Sequence, residues 1–171
     1  RLGARYNGTT GLEQTWYYAQ ARSPALESLL WLESERMGFA LGAIDESALR
    51  LEQRIVSNEL MERGSSLMAR VAKPWQAALY GPDHPFLVPE DEVGDVQAVE
   101  LSGVQWFFQS AYRPDNATLV VAGRFAPAEA RRLITRYFAS IKNPRLPRLS
   151  ASPPAPKLCG LHRLTIKHRF L

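Results

Sequence analysis

Residues 112–123, which read Tyr-Arg-Pro-Asp-Asn-Ala-Thr-Leu-Val-Val-Ala-Gly, decide the fold. Pro114 and the Asp-Asn pair after it are typical of a turn, and the apolar run over residues 117–122 predicts a buried strand. The aromatic segment before the turn, residues 104–112, predicts a short helix, and residues 127–141 predict another that begins at a proline. This stretch therefore predicts the order helix, strand, helix.

The segment before this stretch supplies two more strands and three more helices. Residues 6–19, rich in Thr, Trp and Tyr, predict two short strands around a turn. Helical periodicity covers residues 25–41 and 45–63 and continues through Trp75 to Tyr80, whereas residues 81–100 are predicted as a long acidic loop. Strands followed by helices indicate an α+β two-layer domain, with a mostly antiparallel sheet packed against helices.

The C-terminal end has a different composition. Residues 143–157 hold five prolines, and we expect an extended linker over residues 143–160. Residues 161–171 alternate in polarity and predict a strand that belongs to the next segment of a longer protein. The α+β domain is therefore expected to occupy residues 1–142 and to be incomplete.

Composition excludes several classes of protein. A chain of 171 residues that is 46% hydrophobic suits one domain with a core, and its one cysteine, Cys159, can form neither an internal disulfide nor a two-cysteine metal clip. The first residues do not resemble a signal peptide, and no run approaches the ~18 apolar residues of a membrane span. We expect a soluble chain without a membrane span, and the bacterial periplasm and the cytoplasm both remain open.

The net charge of +4 is the sum of two regions of opposite charge. Residues 1–123 carry 10 basic and 16 acidic side chains, a balance of −6, whereas residues 124–171 carry 11 basic side chains and one acid, a balance of +10. A basic end can attract nucleic acid, but most basic stretches are solvated. We therefore predict no nucleic-acid partner.

Two carboxylates interrupt the apolar arc of the helix predicted over residues 45–63. At ~100° per residue, Glu52 and Glu59 point the same way, roughly 10 Å apart along the axis. A buried unpaired carboxylate costs several kcal/mol. Two interpretations stay open. In the first, the helix is rotated or its apolar arc opens at one edge, and both glutamates are solvated or paired with arginines. In the second, one glutamate ligates a metal and the other orients a ligand or a neighbour. The apolar residues of the arc are Ala48, Leu49, Leu51, Ile55, Val56 and Leu60.

Four segments in one order carry a family resemblance: residues 3–18, 52–59, 80–86 and 112–123. They are similar to the Gly-x-x-x-Asn-Ala-x-Thr-x-x-x-x-Thr-x-Tyr segment, the Glu-x6-Glu helix, the His-Pro-Tyr loop and the Tyr-x-Pro-x-Asn-Ala-x-Leu-x-x-x-Gly strand of the pitrilysin family. That family includes insulin-degrading enzyme and the mitochondrial processing peptidase. The resemblance implies an α+β half-domain of a zinc metalloendopeptidase.

The resemblance also implies roles for individual residues. Family members bind zinc through the two histidines of a His-x-x-Glu-His helix, whose glutamate is the general base. The third ligand corresponds to Glu59, and Glu52 corresponds to a glutamate that supports the site through a hydrogen bond. The edge strand that takes up an extended peptide corresponds to Asn7, Gly8, Thr9 and Thr10, with Gly8 where the family usually has alanine.

The chain departs from the family at its histidines. They are His84, His162 and His168, and none belongs to a His-x-x-Glu-His motif, which in the family precedes the Asn7 segment. We therefore expect this chain alone to bind no zinc and to be inactive, as part of the catalytic half of a zinc peptidase. Its expected partners are a peptide substrate and a second half-domain, in the same protein or in a homologous subunit. The alternative is a non-catalytic homologue that binds peptides or completes a chamber.

Overall fold

The computed structural model describes residues 3–64, 67–81, 84–87 and 92–147, and eight residues between 153 and 165. These described residues contain two β-strands and six α-helices: β1 (Arg5–Thr10), β2 (Thr15–Gln20), α1 (Leu26–Gly38), α2 (Glu46–Gly64), α3 (Leu67–Tyr80), α4 (Glu92–Ala98), α5 (Leu101–Ala111) and α6 (Pro127–Phe138). The antiparallel sheet together with the helices confirms the α+β class. No helix in the described part of the chain is both long enough and apolar enough for a membrane span.

The chain divides into two compact units. The first contains the residues up to Glu46 and the segment that begins at Glu100, so it holds β1, β2, α1, α5 and α6. The second contains residues 47–99 and C-terminal residues, so it holds most of α2 together with α3 and α4.

The first two strands form the predicted hairpin. β1 and β2 pair antiparallel with Arg5 opposite Gln20 and Thr10 opposite Thr15. The Gly11 N–H donates to the Gln14 carbonyl at 2.8 Å and closes a two-residue turn. Every hairpin residue except Ala19 is exposed. A two-stranded hairpin by itself is marginally stable. The stability of this hairpin therefore depends on its contacts with the helices.

The core of the first unit lies between α1 and α6. Leu30 on α1 and Leu133 on α6 are 3% and 2% exposed, and the two helices pack against each other. At the surface of this contact, Arg136 and the Tyr137 hydroxyl both donate to Glu27 Oε1, at 3.0 and 2.7 Å. The two helices are therefore joined by a buried apolar contact, with hydrogen bonds to the Glu27 carboxylate at its edge.

In the second unit, α2 is covered along only one edge of its apolar arc. Leu51 and Ile55 are each 49% exposed, whereas Leu49, Val56 and Leu60 at the other edge are half-buried. Beyond that edge, Gln53, which the periodicity placed on the polar side, donates from Nε2 to the carbonyls of Val96 and Val99 at 3.0 and 2.9 Å. The covered side of α2 therefore includes part of the apolar arc and the polar residue that contacts the end of α4.

Two predicted elements differ from the structure. Residues 92–98 form helix α4 inside the stretch predicted as loop. Residues 117–122 do not form a strand; Val120 is 79% exposed and Leu119 39%. The strand prediction was wrong because a strand needs a neighbour with which to form hydrogen bonds. Among the described residues, the sheet pairs β1 with β2 and does not include this segment.

The predicted C-terminal elements are only partly covered. Most residues of the expected linker beyond Pro147, and most of the strand expected over residues 161–171, lie outside the described residues. Leu161 and residues 163–165, which are described, have no strand assignment. The proposed boundaries at 142 and 160 therefore stay predictions.

Candidate functional site: a peptide-binding edge and a carboxylate helix

The outer edge of β1 carries main-chain groups at every second residue. In an antiparallel ladder, hydrogen-bonded and non-hydrogen-bonded pairs alternate. The Gly11–Gln14 pair is bonded, and the register continues to Thr9–Trp16 and Asn7–Tyr18, so those two pairs are bonded as well. The N–H and C=O groups that point away from β2 are therefore those of Tyr6, Gly8 and Thr10.

The Asn7 side chain contacts this outer edge. The Gly8 N–H donates to Asn7 Oδ1 at 2.8 Å, which agrees with a Gly8 amide that points away from β2. Of the four residues predicted to bind peptide, Gly8 and Thr10 offer main-chain groups at the edge. Asn7 reaches the edge through its side-chain amide. The main-chain groups of Thr9 are hydrogen-bonded to β2.

Tyr17 covers β1 on the face of the hairpin that contacts the helices. It lies opposite Gly8, and a Cβ atom added at Gly8 would stand 3.2 Å from Tyr17 Cδ1 and Cε1. An alanine at position 8 would therefore require the Tyr17 ring to move by a few tenths of an ångström.

The same tyrosine contacts two helical segments. Its hydroxyl lies 2.6 Å from the hydroxyl of Tyr112, which follows α5, and the Arg36 guanidinium on α1 sits 4.2 Å from the centre of its ring. Burial, followed by the bond to Tyr17, raises the pKa of Tyr112 to about 12, so the Tyr112 hydroxyl keeps its proton well above neutral pH. Sequence reasoning assigned no role to Tyr17 or Tyr112, although both occupy named positions of the family motifs.

Glu52 and Glu59 lie on α2, in the second unit. Both are exposed, and they share the solvent side of the helix with Leu51 and Ile55. Both carboxylates therefore meet solvent at the open edge of the apolar arc.

These residues do not by themselves fit a zinc ion. A zinc site needs at least three protein ligands, usually histidine, cysteine or carboxylate. Among the described residues, no group of three or more His, Cys, Asp or Glu side chains is placed to hold a metal ion. Glu59 could supply one ligand at most.

His84 belongs to an aromatic cluster in the second unit. Its ring stacks on Tyr80 with the centroids 4.8 Å apart, and Phe86 meets its edge at 5.2 Å. The Phe86 N–H donates to His84 Nδ1 at 3.2 Å. These contacts fit the prediction that His84 is a loop residue.

Comparison with known proteins connects this fold to peptidases. Residues 99–168 match the family model described as the Peptidase M16 inactive domain, M16 being the pitrilysin group. A protease from Helicobacter pylori matches with a TM-score of 0.73 and 23% identity over 91% of this chain and 37% of its own. A mutant of the ferredoxin protease FusC, in complex with Arabidopsis ferredoxin, matches with a TM-score of 0.72 and 26% identity over 90% of this chain and 17% of its own. No curated protein matches the chain.

The resemblance to the pitrilysin family is thereby confirmed: the chain has the fold of a pitrilysin-type protease half-domain. It spans 37% and 17% of the lengths of the two proteases. The family model begins at Val99 and so covers neither β1 nor the carboxylates of α2.

Proposed function

We propose that this chain supplies two parts of a pitrilysin-type zinc metalloendopeptidase: an edge strand that holds an extended peptide and a helix that carries a zinc-ligating carboxylate. The observation that supports it best is the outer edge of β1, where the main-chain groups of Tyr6, Gly8 and Thr10 point away from β2. The Gly8 N–H is bonded to Asn7 Oδ1, and an added peptide carbonyl would replace that acceptor. A peptide that adds to such an edge is recognised through its own main chain. The substrate would therefore be selected for an extended conformation more than for its side chains.

The carboxylate helix would be completed by an element of the full-length protein. Glu59 would be the third zinc ligand beside two histidines, and Glu52 would hold a neighbouring ligand in place through a hydrogen bond. The exposed Leu51 and Ile55 support this role, because an apolar surface around the carboxylates favours packing by another helix. Zinc bound in this way lowers the pKa of its water and polarises the scissile carbonyl.

The second candidate is a non-catalytic pitrilysin homologue that binds peptides or completes a chamber. It is favoured by the match to the inactive-domain model. The edge strand would serve both candidates, so only the carboxylates separate them. The match to the inactive-domain model begins after Glu59, so it gives no information on the carboxylates. The two glutamates on one exposed side of α2 favour the peptidase.

Peptide binding is tested on this chain with two synthetic decapeptides of the same proline-free sequence. One has unmodified amides, and the other is N-methylated at every second residue on the side that would face β1. We expect fluorescence titration to detect binding of the unmodified peptide and at least a tenfold weaker affinity for the methylated one, because each methyl group removes a donor. Equal affinities would argue against edge-strand recognition.

The carboxylate role is tested in the full-length protein with Glu59→Gln and, as a matched control on the same helix, Glu62→Gln. We expect Glu59→Gln to lose stoichiometric zinc and peptide cleavage, whereas Glu62→Gln keeps both. Glu52→Gln should weaken zinc affinity by about 10- to 100-fold. A Glu59→Gln enzyme with full zinc content and full activity would rule out Glu59 as a ligand.

A further inference from the structure

We propose that Tyr17 and Tyr112 form a hydroxyl clamp that holds the peptide-binding strand β1 at a fixed position on the helices. The inference rests on the proposed role of β1 and names the positioning residues that this role requires. Tyr17 lies on β2 and never needs to touch a peptide at the β1 edge. It acts through the backbone of Gly8.

The first step is the contact between Tyr17 and β1. The ring of Tyr17 lies over Gly8, which has no side chain. A Cβ atom built on Gly8 would lie only 3.2 Å from the Cδ1 and Cε1 atoms of the ring. An aromatic ring laid over a cross-strand glycine fixes the pairing of the two strands. The position of the Tyr17 ring therefore determines the position of the Gly8 main chain, whose N–H points to the outer edge.

The second step is the anchor at Tyr112. Its ring stacks on Phe108 with the centroids 4.3 Å apart and meets the edge of Phe107 at 6.2 Å. Its N–H donates to the Phe108 carbonyl at 2.9 Å, which extends the hydrogen bonding of α5 by one residue. Tyr112 is thus fixed to the end of a helix, and its hydroxyl meets that of Tyr17 at 2.6 Å.

The third step is the set of contacts that surround this bond. Arg36 on α1 lies 4.2 Å from the centre of the Tyr17 ring, so α1 and the end of α5 both contact the same side chain. On the same face of the hairpin, the Thr15 hydroxyl of β2 lies 3.3 Å from the Thr10 hydroxyl of β1. The two strands are therefore joined by side-chain hydroxyls, and Tyr17 is held by both helical segments.

A fixed edge matters because binding by strand addition needs several main-chain groups in line at once. A hairpin with two exposed faces twists and frays when nothing holds it. Ordering it at the moment of binding would cost affinity, which a clamp avoids by ordering it beforehand. The hydroxyl bond should therefore affect peptide affinity as well as local stability.

Hydrogen exchange tests the clamp without a peptide. The variants are Tyr17→Phe, Tyr112→Phe and the double variant, with Tyr18→Phe as the control on the opposite face of β2. We expect the ladder amides of Asn7 and Thr9 to exchange about 2- to 10-fold faster in either single variant, since one hydrogen bond is lost. The double variant should be no faster than the singles, and Tyr18→Phe should match the parent chain. Independent, multiplying effects of the two substitutions would overturn the clamp.

Peptide affinity tests the positioning role. Using the unmodified decapeptide, we expect Kd to rise about 2- to 10-fold in Tyr17→Phe and Tyr112→Phe and to stay unchanged in Tyr18→Phe. Faster exchange with unchanged Kd would overturn the positioning role. A parent chain that binds no peptide would refute the proposed function itself, and the exchange data would still report whether the two hydroxyls are coupled.

Discussion

Arg113 donates from Nη1 to the main-chain oxygen of Leu146 at 2.7 Å and so connects two segments 33 residues apart. The side chain is only 6% exposed, and its Nη2 also donates to Asp115 Oδ2 at 2.9 Å. Asp115 in turn accepts at its carboxylate and donates its N–H to Asn143 Oδ1 at 3.1 Å. The turn after α5 is therefore joined to the chain that follows α6.

We predict that Arg113→Ala lowers the free energy of unfolding by about 1–3 kcal/mol, because it leaves a carboxylate and a carbonyl without their shared donor. Arg113→Lys should restore only part of this loss, since an ammonium group lacks the planar fork of guanidinium. Urea unfolding followed by far-UV circular dichroism measures both. The matched control is Arg132→Ala, which removes an exposed pair with Glu129 and should change stability much less, because solvent screens an exposed pair. Equal effects at the two arginines would contradict the role given to Arg113.

We predict opposite effects on stability when Gly38 and Gly103 are each replaced by alanine. A Cβ atom at Gly38 would stand 2.9 Å from Ile141 Cγ1, whereas Gly103 has open space around it. We expect Gly38→Ala to destabilise the protein by about 1–3 kcal/mol through overpacking. Gly103→Ala, in α5, should stabilise it by about 0.5–1 kcal/mol. Thermal unfolding of the two variants and of Gly38→Ala combined with Ile141→Ala measures this, and the combination should recover part of the loss.

Gln53 predicts a local effect on α4. Its amide donates to carbonyls at the end of that helix, so Gln53→Leu should cost about 0.5–1.5 kcal/mol of local stability. Gln53→Glu should cost more, because a carboxylate can only accept and would face carbonyl oxygens. Amide exchange over residues 95–99 measures the opening of α4, with Gln97→Leu as the control at an exposed position of the same helix. A Gln53→Glu variant that protects α4 as well as the parent does would contradict the assignment.

Tyr112 predicts a change of stability with alkaline pH. Its folded pKa is about 12 against an ordinary value of 10.0, so between these values the unfolded chain has lost a proton that the folded chain retains. The contribution of Tyr112 is therefore fully present below pH ~10 and is lost as the pH rises toward 12. Urea midpoints measured from pH 8 to 11.5 should fall less steeply in Tyr112→Phe than in the parent chain. Tyr18→Phe should follow the parent, and identical slopes in all three would contradict the raised pKa.

Local pattern predicted the elements whose signals lie within one short segment. The hairpin follows from Thr, Trp and Tyr residues around Gly11, and α6 follows from Pro127 and a helical apolar period. α4 was missed because it has only 7 residues and contains a glycine. Its end is held by Gln53, a partner more than 40 residues away that no local pattern reveals.

The candidate site residues came from the family segments and not from periodicity. Those segments indicated Asn7, Gly8, Glu52 and Glu59, whereas periodicity placed the two glutamates on an apolar arc and left open whether solvent reaches them; both are exposed. Periodicity reports which residues share a side of a helix and not which side is covered. The Tyr17–Tyr112 bond joins residues 95 positions apart, so it could be found only from the fold.

The exposed segment over residues 117–122 has a consequence for handling the protein. It has no regular secondary structure and no charged residue, with Asp115 before it and Arg124 after it, and Val121 in it is half-buried. Short uncharged segments rich in β-branched residues are templates for intermolecular sheets, and flanking charges slow that process without abolishing it. In concentrated solution this chain should therefore self-associate through Leu119, Val120 and Val121, and a charged residue at position 120 should keep it dispersed.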